Sequence, residues 1–447
     1  MLKQTTYLSH SYGKPDGHSL AAYEAAGGYR GVKKALALSR EQVIDEVKKA
    51  HIRGRGGAGF DCGTKWSFMP KESKKPCYLV INADEGEPGT FKDRTVMELN
   101  PHSMVEGCII GCYAIGAHTA YIYVRDELHL SKARLWGAIK EARDKGYLGK
   151  NPFGKDYPVD IIVHTGAGAY ICGEETSLLN SLEGKRGEPR LKPPFPAQFG
   201  AFGCPTTVNN AETIAIIPTV FEVGGDAFSQ LSTLHSFNDG GTRLFGVSGH
   251  VKRPGVFEAA VGLTLRELIY DLGGGVLGDR AILGIIPGGS SCPVHLPDEV
   301  VNSSDPRMAP WNGKNILDLP LGVDTFRGVG SMLGTCCAIV LSDAADPVLA
   351  MHNLIRFYKH ESCGQCAPCR EGCGWIERIV DKIVEGKGSI QELDEISEIA
   401  SNIMGNTICA FGDGAAQPAL AFVRKFRKQL EDYVQTGGKS QTGRLTL

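Results

Sequence analysis

The chain has 447 residues, a hydrophobic share of 42% and a formal net charge of -2. At roughly 150 residues per domain there is room for about three domains with real cores. The near-zero charge and the lack of a Lys/Arg block exclude a nucleic-acid footprint or an electrostatic grip on an anionic membrane.

The opening MLKQTTYLSHSYGKPDG lacks the apolar core of a secretory signal, so a cytoplasmic location is expected. The first periodic stretch, REQVIDEVKKAHI, predicts an amphipathic helix. It runs into RGRGGAGFDCGTKWSF, where Gly54, Gly56, Gly57 and Gly59 would let a ligand approach the backbone. A helix rather than a strand precedes these glycines, so they are not the dinucleotide fingerprint of a βαβ unit. CYLVINADEGEPGTFKDR reads as a buried strand running into a loop with Asn82, Asp84, Glu85 and Glu87. Gly107 to Val124 carries no formal charge for almost long enough to span a bilayer. Gly111, Gly116, His118 and Thr119 interrupt it, and TAYIYVR has strand composition, so a buried helix followed by a strand is expected, with no membrane span.

VDIIVHTGAGAYICGEETSLLNSLEG reads as a strand over 159 to 165, a loop with Gly166, Gly168 and Gly173, and a helix through Leu182. That order presents helix N–H groups to an anion such as phosphate. The plainer alternative is a tight strand-to-helix turn with Glu174 and Glu175 in a first helical turn. TTVNNAETIA places Asn209 and Asn210 before another helix. From Thr242, TRLFGVSGHVKRPGVFEAAVGLTLRELIYDLGGG alternates like a hairpin crossed by a helix, a small α+β module. Past SDAADP the period turns helical at Val348, Met351, Leu354, Ile355 and Tyr358, then at Ile376, Ile379, Val380, Ile383 and Val384, then at Ile390, Leu393, Ile396 and Ile403. Ser389 and Glu392 predict a capping box on the third of these helices. A fourth, from Ala415 to Tyr433, completes a bundle.

Fourteen cysteines in a chain of this kind point to a reducing compartment, where clustered thiols hold metal or carry redox chemistry. Cys77, Cys108, Cys112, Cys292, Cys336 and Cys337 lie in apolar or turn contexts and read as small buried hydrophobes. KHESCGQCAPCREGCGWI is different. Three thiolates at two-residue gaps, Cys363, Cys366 and Cys369, can wrap one face of an iron-sulfur cubane, whereas structural zinc sites pair separated knuckles. Local spacing offers Cys373 as the fourth ligand, as in a ferredoxin. Glycine follows Cys373 in place of the ferredoxin proline, and no second cysteine set is nearby.

GRGGAGF with the following KW, NADE and EPGTFKDR, GAGAYICGEETSLLNSLEG, PTTVNNAET, ESCGQCAPCREG and TICAFGD together resemble the NADH-binding flavoprotein (51 kDa) subunit of respiratory complex I and its diaphorase relatives. The resemblance covers nearly the whole chain. It implies an α/β multidomain fold: a Rossmann-like FMN- and NADH-binding domain over 1–240 with an N-terminal extension, a ubiquitin-like β-grasp (SLBB-type) domain over 241–330, and a C-terminal four-helix bundle over 331–447 carrying a [4Fe-4S] cluster. It nominates Cys409 in place of Cys373 as the fourth iron ligand, which leaves Cys373 a spectator.

For FMN the resemblance implies Gly54, Arg55, Gly56, Lys65, Asn82, Asp84, Glu85, Tyr170, Gly173, Glu174, Glu175, Asn209, Asn210 and Thr213. For NADH it implies Gly57, Ala58, Phe60, Phe68, Glu87, Lys192 and Phe195, with the aromatics on the adenine and Glu87 at a ribose hydroxyl. Taken alone, Phe60 and Phe68 would read as core residues and Lys65 as a solvated cation. Glu87 and Lys65 are the expected catalytic pair. Nicotinamide delivers two electrons as a hydride and a cubane accepts one, so a flavin is needed between them.

The expected activity is NADH dehydrogenation in complex I, with quinone as the final acceptor. The alternative is the diaphorase subunit of an NAD-linked hydrogenase or formate dehydrogenase. A bare electron-transfer protein and a zinc scaffold are further readings, and each leaves a motif unexplained. The implied partners are a thioredoxin-like [2Fe-2S] subunit and a larger iron-sulfur subunit, with membrane contact only through other subunits, at the cytoplasmic face of the inner membrane. The chain departs from the family pattern at Asp61 and Cys62, where the family reads GAGFPTG, and at Cys336 and Cys337.

Overall fold

The computed structural model describes residues 6–438, which divide into two compact units. The first holds the chain up to Gly86, Phe91–Phe245 and Val256–Leu263; the second holds Glu87–Thr90, Gly246–Gly255 and the chain from Thr264 on.

In the first unit, β1 (Cys77–Ala83), β2 (Ala117–Val124), β3 (Asp160–Thr165) and β4 (Thr206–Asn210) form a four-stranded sheet of order β3-β2-β1-β4. Every pairing is parallel, and parallel neighbours require crossover connections, which helices supply. The crossover from β1 to β2 includes the helix Pro101–Ile115, all of whose residues are buried. This is why Gly107–Val124 carries no charge: it is an interior helix followed by an interior strand. No described helix is long and apolar enough to cross a membrane. Gly107 allows a close helix crossing, since a β-carbon there would stand 2.1 Å from the Ile214 carbonyl oxygen of the helix Ala211–Val223. The expected helix before the glycine run is present as Arg40–Lys49, closed by a Ser39/Gln42 capping box. Strand order reverses at β1, with β2 and β3 on one side and β4 on the other. Such a switch point opens a crevice beyond the carboxyl ends of the strands.

β5 (Thr242–Gly249) and β6 (Gly255–Ala260) are hydrogen-bonded neighbours, as the hairpin reading expects. The helix expected after them is a short turn that continues as π-helix over Glu267–Leu272. In the second unit, β8 (Cys337–Ser342) runs parallel to Gly246–Gly249 and antiparallel to β7 (Ile282–Ile286). The bundle helices follow as Pro347–Glu361, Ala367–Val384 and Ile390–Ile403, the last closed by the Ser389/Glu392 capping box. The fourth predicted helix is two, Phe411–Lys425 and Arg427–Gln435. The break falls at Phe426, whose φ of -112° and ψ of 26° leave the helical region. The Phe426 ring is buried against Phe422, with centroids 5.4 Å apart. All six cysteines read as hydrophobes, Cys77, Cys108, Cys112, Cys292, Cys336 and Cys337, are buried.

Candidate functional site

Parallel pairing places Asn82 of β1 opposite Asn210 of β4, so both reach the same edge of the sheet. The loop after β3 starts at that edge too, since the Gly166 N–H donates to the Val124 carbonyl at 2.8 Å. Asn82 ties the loop to β1: its Nδ2 donates to the Gly173 carbonyl at 2.7 Å, and its Oδ1 accepts the Asp84 N–H at 3.2 Å. The first glycine loop closes on itself through the Gly54 N–H to the Phe60 carbonyl at 2.8 Å and a bridge between Arg53 and Asp61. Gly57 and Gly59 sit at φ of +110° and +67°, the left-handed region open to glycine. The loop lies over the end of β4, because the Arg55 N–H donates to Thr213 Oγ1 at 2.9 Å and a β-carbon on Gly56 would come within 3.3 Å of Asn210 Cβ.

Gly173 is a glycine that the protein's own packing does not require. It has no positive φ, and an added β-carbon would meet only the Asp84 carbonyl oxygen, at 3.7 Å. A strand-order switch point with open space at such a glycine and with amides and carboxylates gathered around it offers the donor set of a nucleotide-type cofactor site. FMN fits it on those grounds.

Its electrostatics come from a four-membered chain. Lys65 Nζ lies 2.9 Å from Glu175 Oε2, and Lys192 Nζ lies 2.7 Å from Glu175 Oε1 and 3.2 Å from Glu174 Oε1. Burial alone would raise the Glu175 carboxyl, but Lys65 and Lys192 overcome it and hold the group at about 2. Lys65 is therefore not a solvated surface cation. The helix Glu175–Leu182 differs from the phosphate reading: Glu174 Oε2 already accepts the Thr176 and Ser177 N–H groups at 2.8 and 2.9 Å. Likewise Asn210 Oδ1 accepts the first N–H groups of Ala211–Val223, from Glu212 at 3.0 Å and Thr213 at 3.4 Å. Side chains cap both helix ends, so these donors are engaged within the chain.

Phe60, Phe68 and Phe195 are 51%, 58% and 54% exposed, which rules out the core reading for Phe60 and Phe68. The Phe60 and Phe68 ring centroids stand 6.0 Å apart at an interplanar angle of 45°. Exposed paired rings offer faces to a planar base. Ala58 is exposed beside them on the glycine loop, Gly57 is half-buried, and Tyr170 is half-buried in the turn Tyr170–Gly173. Glu87 belongs to the second unit, where its Oε1 accepts the Ser291 N–H at 2.7 Å and the Ser290 hydroxyl at 3.3 Å.

Three nominated side chains are turned toward the protein. The Arg55 guanidinium is buried, donating to the Gly240 and Thr242 carbonyls at 3.3 and 2.9 Å and facing Glu212 at 3.9 Å and Asp239 at 3.7 Å. Only its backbone faces the loop. Asn209 grips the helix Cys62–Ser67, accepting the Trp66 indole N–H at 2.9 Å and donating to Cys62 Sγ at 3.5 Å. Glu85 caps the helix Lys92–Leu99 by accepting the Asp93 and Arg94 N–H groups at 2.7 and 2.8 Å. Burial, then the neighbouring Asp93 carboxylate, push Glu85 up to about 7. Lys92 and Asp93 of the EPGTFKDR stretch and Glu212 of PTTVNNAET, to which the sequence assigned no role, form a buried ion cluster beneath Asn210. The signal available was FKDR itself, an adjacent Lys92 and Asp93 opening the helix Lys92–Leu99, which are buried together with Val96 and Met97.

At the bundle, Cys363 lies in the loop before the helix Ala367–Val384, Cys366 is that helix's N-cap residue, and Cys369 is in its first turn. Cys409 lies in the loop between Ile390–Ile403 and Phe411–Lys425. Gly372 packs on Ile403, where a β-carbon would stand 2.6 Å from the Ile403 side chain. The start of one helix therefore meets the end of the other, bringing the Cys409 loop to the same end of the bundle as the triplet. Cys363, Cys366 and Cys409 are half-exposed, while Cys369 and Cys373 are buried.

A hydrogen bond from Cys373 lowers the Cys369 thiol to about 7 against the effect of burial, and Ser362 Oγ adds a contact at 3.2 Å. The same bond, with burial, pushes Cys373 up and keeps it protonated. Among the described residues no three His, Cys, Asp or Glu side chains surround a single-ion position. A cubane binds each thiolate through a different iron, so its four ligands spread around a cluster instead of converging on one ion. The thiols of Cys363, Cys366, Cys369 and Cys409 at one end of the bundle fit that group, with Cys373 beside Cys369 as a buried thiol donor.

Residues 47–219 match the Nuo51 FMN-binding domain, 244–295 the SLBB domain and 349–433 the NADH-ubiquinone oxidoreductase-F iron-sulfur binding region. The chain is similar to the F subunit of the NADH-quinone oxidoreductase of Rickettsia bellii (strain OSU 85-389), 45% identical over 436 residues, covering 97% of this chain and 100% of that protein. The protein of the same name in Rickettsia typhi (strain Wilmington) is 45% identical over 439 residues, covering 98% and 100%. Among solved structures, a chain of an NAD+-reducing [NiFe]-hydrogenase in the H2-reduced state superposes with a TM-score of 0.78 at 31% identity, covering 91% of this chain and 65% of that one. The chain thus spans about two thirds of the hydrogenase chain's length.

Proposed function

The chain belongs to the family of NADH-quinone oxidoreductase F subunits, and from that premise we propose how its residues divide the work of an NADH dehydrogenase flavoprotein. Bound FMN would supply an acceptor for the hydride of NADH that can give up its electrons singly, and a [4Fe-4S] cluster would supply the one-electron path to other subunits of a multi-subunit complex. FMN is held by the backbone of Gly54, Arg55 and Gly56, by Asn82, Asp84, Tyr170, Gly173 and Asn210, and by the Lys65–Glu175 pair. Glu85, Glu174, Asn209 and Thr213 hold those groups in place through the helix caps and the loop contact. The observation that carries this reading is the gathering of β1, β3 and β4 loop ends and the first glycine loop at one switch point, around a glycine with room above it.

For NADH, the exposed Phe60, Phe68 and Phe195 rings take the adenine, with Gly57, Ala58 and Lys192 along the nucleotide. Glu87 receives a ribose hydroxyl and repels a 2′-phosphate. Cys363, Cys366, Cys369 and Cys409 ligate the cluster. The partners are a thioredoxin-like [2Fe-2S] subunit and a larger iron-sulfur subunit, and the chain reaches the cytoplasmic face of the inner membrane through them. The three matched segments fall one within each of the regions 1–240, 241–330 and 331–447, which supports a three-domain division.

The test is the reconstituted chain with ferricyanide as acceptor. NADH should support turnover and NADPH should support it far less, because a misplaced like charge costs several kcal/mol by order of magnitude. No turnover with either nucleotide removes the reading, and equal kcat/KM removes the role given to Glu87. A second reading, the diaphorase subunit of an NAD-linked hydrogenase, is favoured by the TM-score of 0.78. Co-purification with a nickel-iron subunit would select it over complex I.

A further inference from the structure

The buried ion cluster beneath Asn210 lies outside the residues assigned to FMN, NADH and iron. Lys92 is 1% exposed, and its Nζ lies 2.8 Å from Asp93 Oδ1, 2.9 Å from Glu212 Oε2 and 3.5 Å from Asn210 Oδ1. Asp93 in turn accepts the Asn210 Nδ2 at 2.7 Å and the Glu212 N–H at 3.2 Å. Glu212 accepts the Leu244 N–H at 2.9 Å and faces the Arg55 guanidinium of the first glycine loop. Glu85, at the end of β1, contributes a further negative field and caps the helix that carries Lys92.

The ammonium thus joins Asp93, Glu212 and Asn210 directly, at the start of the helix that Asn210 caps. A lysine desolvated this completely is costly unless it is paired, and a buried ion pair is seldom retained for net stability. Conformational specificity is the better-attested use of such a group. Here the conformation concerned is that of Asn210. Its amide is oriented at both ends, Nδ2 by Asp93 and Oδ1 by Lys92 and the helix it caps, at the position where β4 meets the crevice. Without the ammonium, Asp93 loses its cationic partner and Asn210 Oδ1 loses one of its donors, so the amide is held less firmly.

We propose that Lys92 is a positioning residue for the flavin, acting through Asp93 to fix the Asn210 amide at the switch-point crevice. The inference rests on the assignment of FMN to that crevice. It deepens that assignment by placing part of the cofactor's affinity in a residue that does not touch it.

The test uses the full chain, stripped of flavin and titrated with FMN by quenching of flavin fluorescence, with the melting temperature of each flavin-free variant recorded alongside. Lys92→Met should raise the FMN Kd by about tenfold or more, the loss expected when a charge-assisted brace is removed. The KM for NADH at saturating FMN should stay at the wild-type value. Lys92→Met combined with Asn210→Ala should bind FMN no more weakly than Asn210→Ala alone, because the lysine acts through that amide; a merely structural lysine would add its own loss to the second.

If Lys92→Met does not fold, Lys92→Gln combined with Glu212→Gln removes one charge of each sign, and its FMN affinity should fall by the same order. Wild-type FMN affinity in Lys92→Met or in the paired variant, or losses that multiply in the double variant, overturn the inference and leave the flavin site intact. A wild-type chain that does not bind FMN overturns the site assignment, and the inference with it.

Discussion

Gly173→Ala separates cofactor binding from folding. The residue lies in the turn Tyr170–Gly173 with no positive φ, so alanine is conformationally allowed. The added methyl would meet only the Asp84 carbonyl oxygen at 3.7 Å, an ordinary van der Waals contact. The unfolded chain loses freedom, which stabilises the fold by about 0.4–1 kcal/mol. At about 2–4 °C per kcal/mol for a domain of this size, the flavin-free Tm should rise by about 1–4 °C. A methyl pressed into space that a ligand occupies costs about 1–3 kcal/mol, or about 5- to 150-fold in FMN Kd. Flavin titration and a thermal melt of the same preparation read both effects. Two controls bracket the result. A β-carbon on Gly166 would stand 2.7 Å from the Tyr123 hydroxyl, and one on Gly107 would stand 2.1 Å from the Ile214 carbonyl, so both alanines should lower Tm with or without flavin. If Gly173→Ala raises Tm as expected but leaves the FMN Kd within about twofold of wild type, less than about 0.5 kcal/mol, the crevice is not the flavin's bed.

Cys409→Ala should abolish the [4Fe-4S] signal in electron paramagnetic resonance or convert it to a three-iron signal, while Cys373→Ala leaves it intact and NADH–ferricyanide turnover survives both. The reverse pattern would make Cys373 the ligand. Phe68→Ala should raise the NADH KM by about 2- to 10-fold, the worth of one aromatic contact, and leave the Tm unchanged because the ring is 58% exposed; an unchanged KM would remove the ring from the nucleotide site. Glu175 titrates at about 2 in the fold against 4.5 unfolded, so its lysine pairs stabilise the chain above pH 4.5 and lose that effect as pH falls toward 2, by up to about 3 kcal/mol. The stability gap between wild type and Glu175→Gln, measured by denaturant titration, should therefore shrink between pH 5 and pH 3, and a constant gap would contradict the depressed value.

What could be read in advance was whatever local pattern controls. The Ser389/Glu392 box, the buried run ending in β2, and the strand–loop–helix order around Gly166 to Leu182 all depend on neighbours in sequence. The break at Phe426 was not legible, because Ala415 to Tyr433 keeps an apolar period across it and only the burial of the Phe426 ring against Phe422 redirects the chain. The site divides in the same way. Which loops matter could be read from glycines and amides, but which side chains face the crevice could not. Arg55 and Asn209 look like ligands by type, yet their partners are Thr242 and Gly240 for one and Trp66 and Cys62 for the other, far away in sequence. The cap by Glu174 had the same effect on the expected phosphate donors. A helix start after a glycine loop promises free N–H groups only where the residue before it cannot fold back on them.

Contacts within the fold account for the departure at Asp61 and Cys62. Asp61 is the N-cap of Cys62–Ser67 and accepts the Thr64 N–H at 2.7 Å, a contact of about 1 kcal/mol in helix stability. Its carboxylate is thereby engaged with its own helix. Cys62 is 1% exposed, and burial first, then the Asp61 charge, push its thiol up to about 12. A thiol at that value is not a nucleophile at neutral pH, so the position adds no reactive sulfur beside the crevice. Its sulfur instead accepts the Asn209 amide, whose other end takes the Trp66 indole N–H. The helix is therefore held at its start by Asp61 and along its length by Asn209. Lys65 is carried one turn beyond the cap, and its ammonium meets Glu175 at 2.9 Å. The exchange of residues at 61 and 62 is absorbed by capping and packing, and the ion chain that faces the crevice depends on the helix those contacts secure.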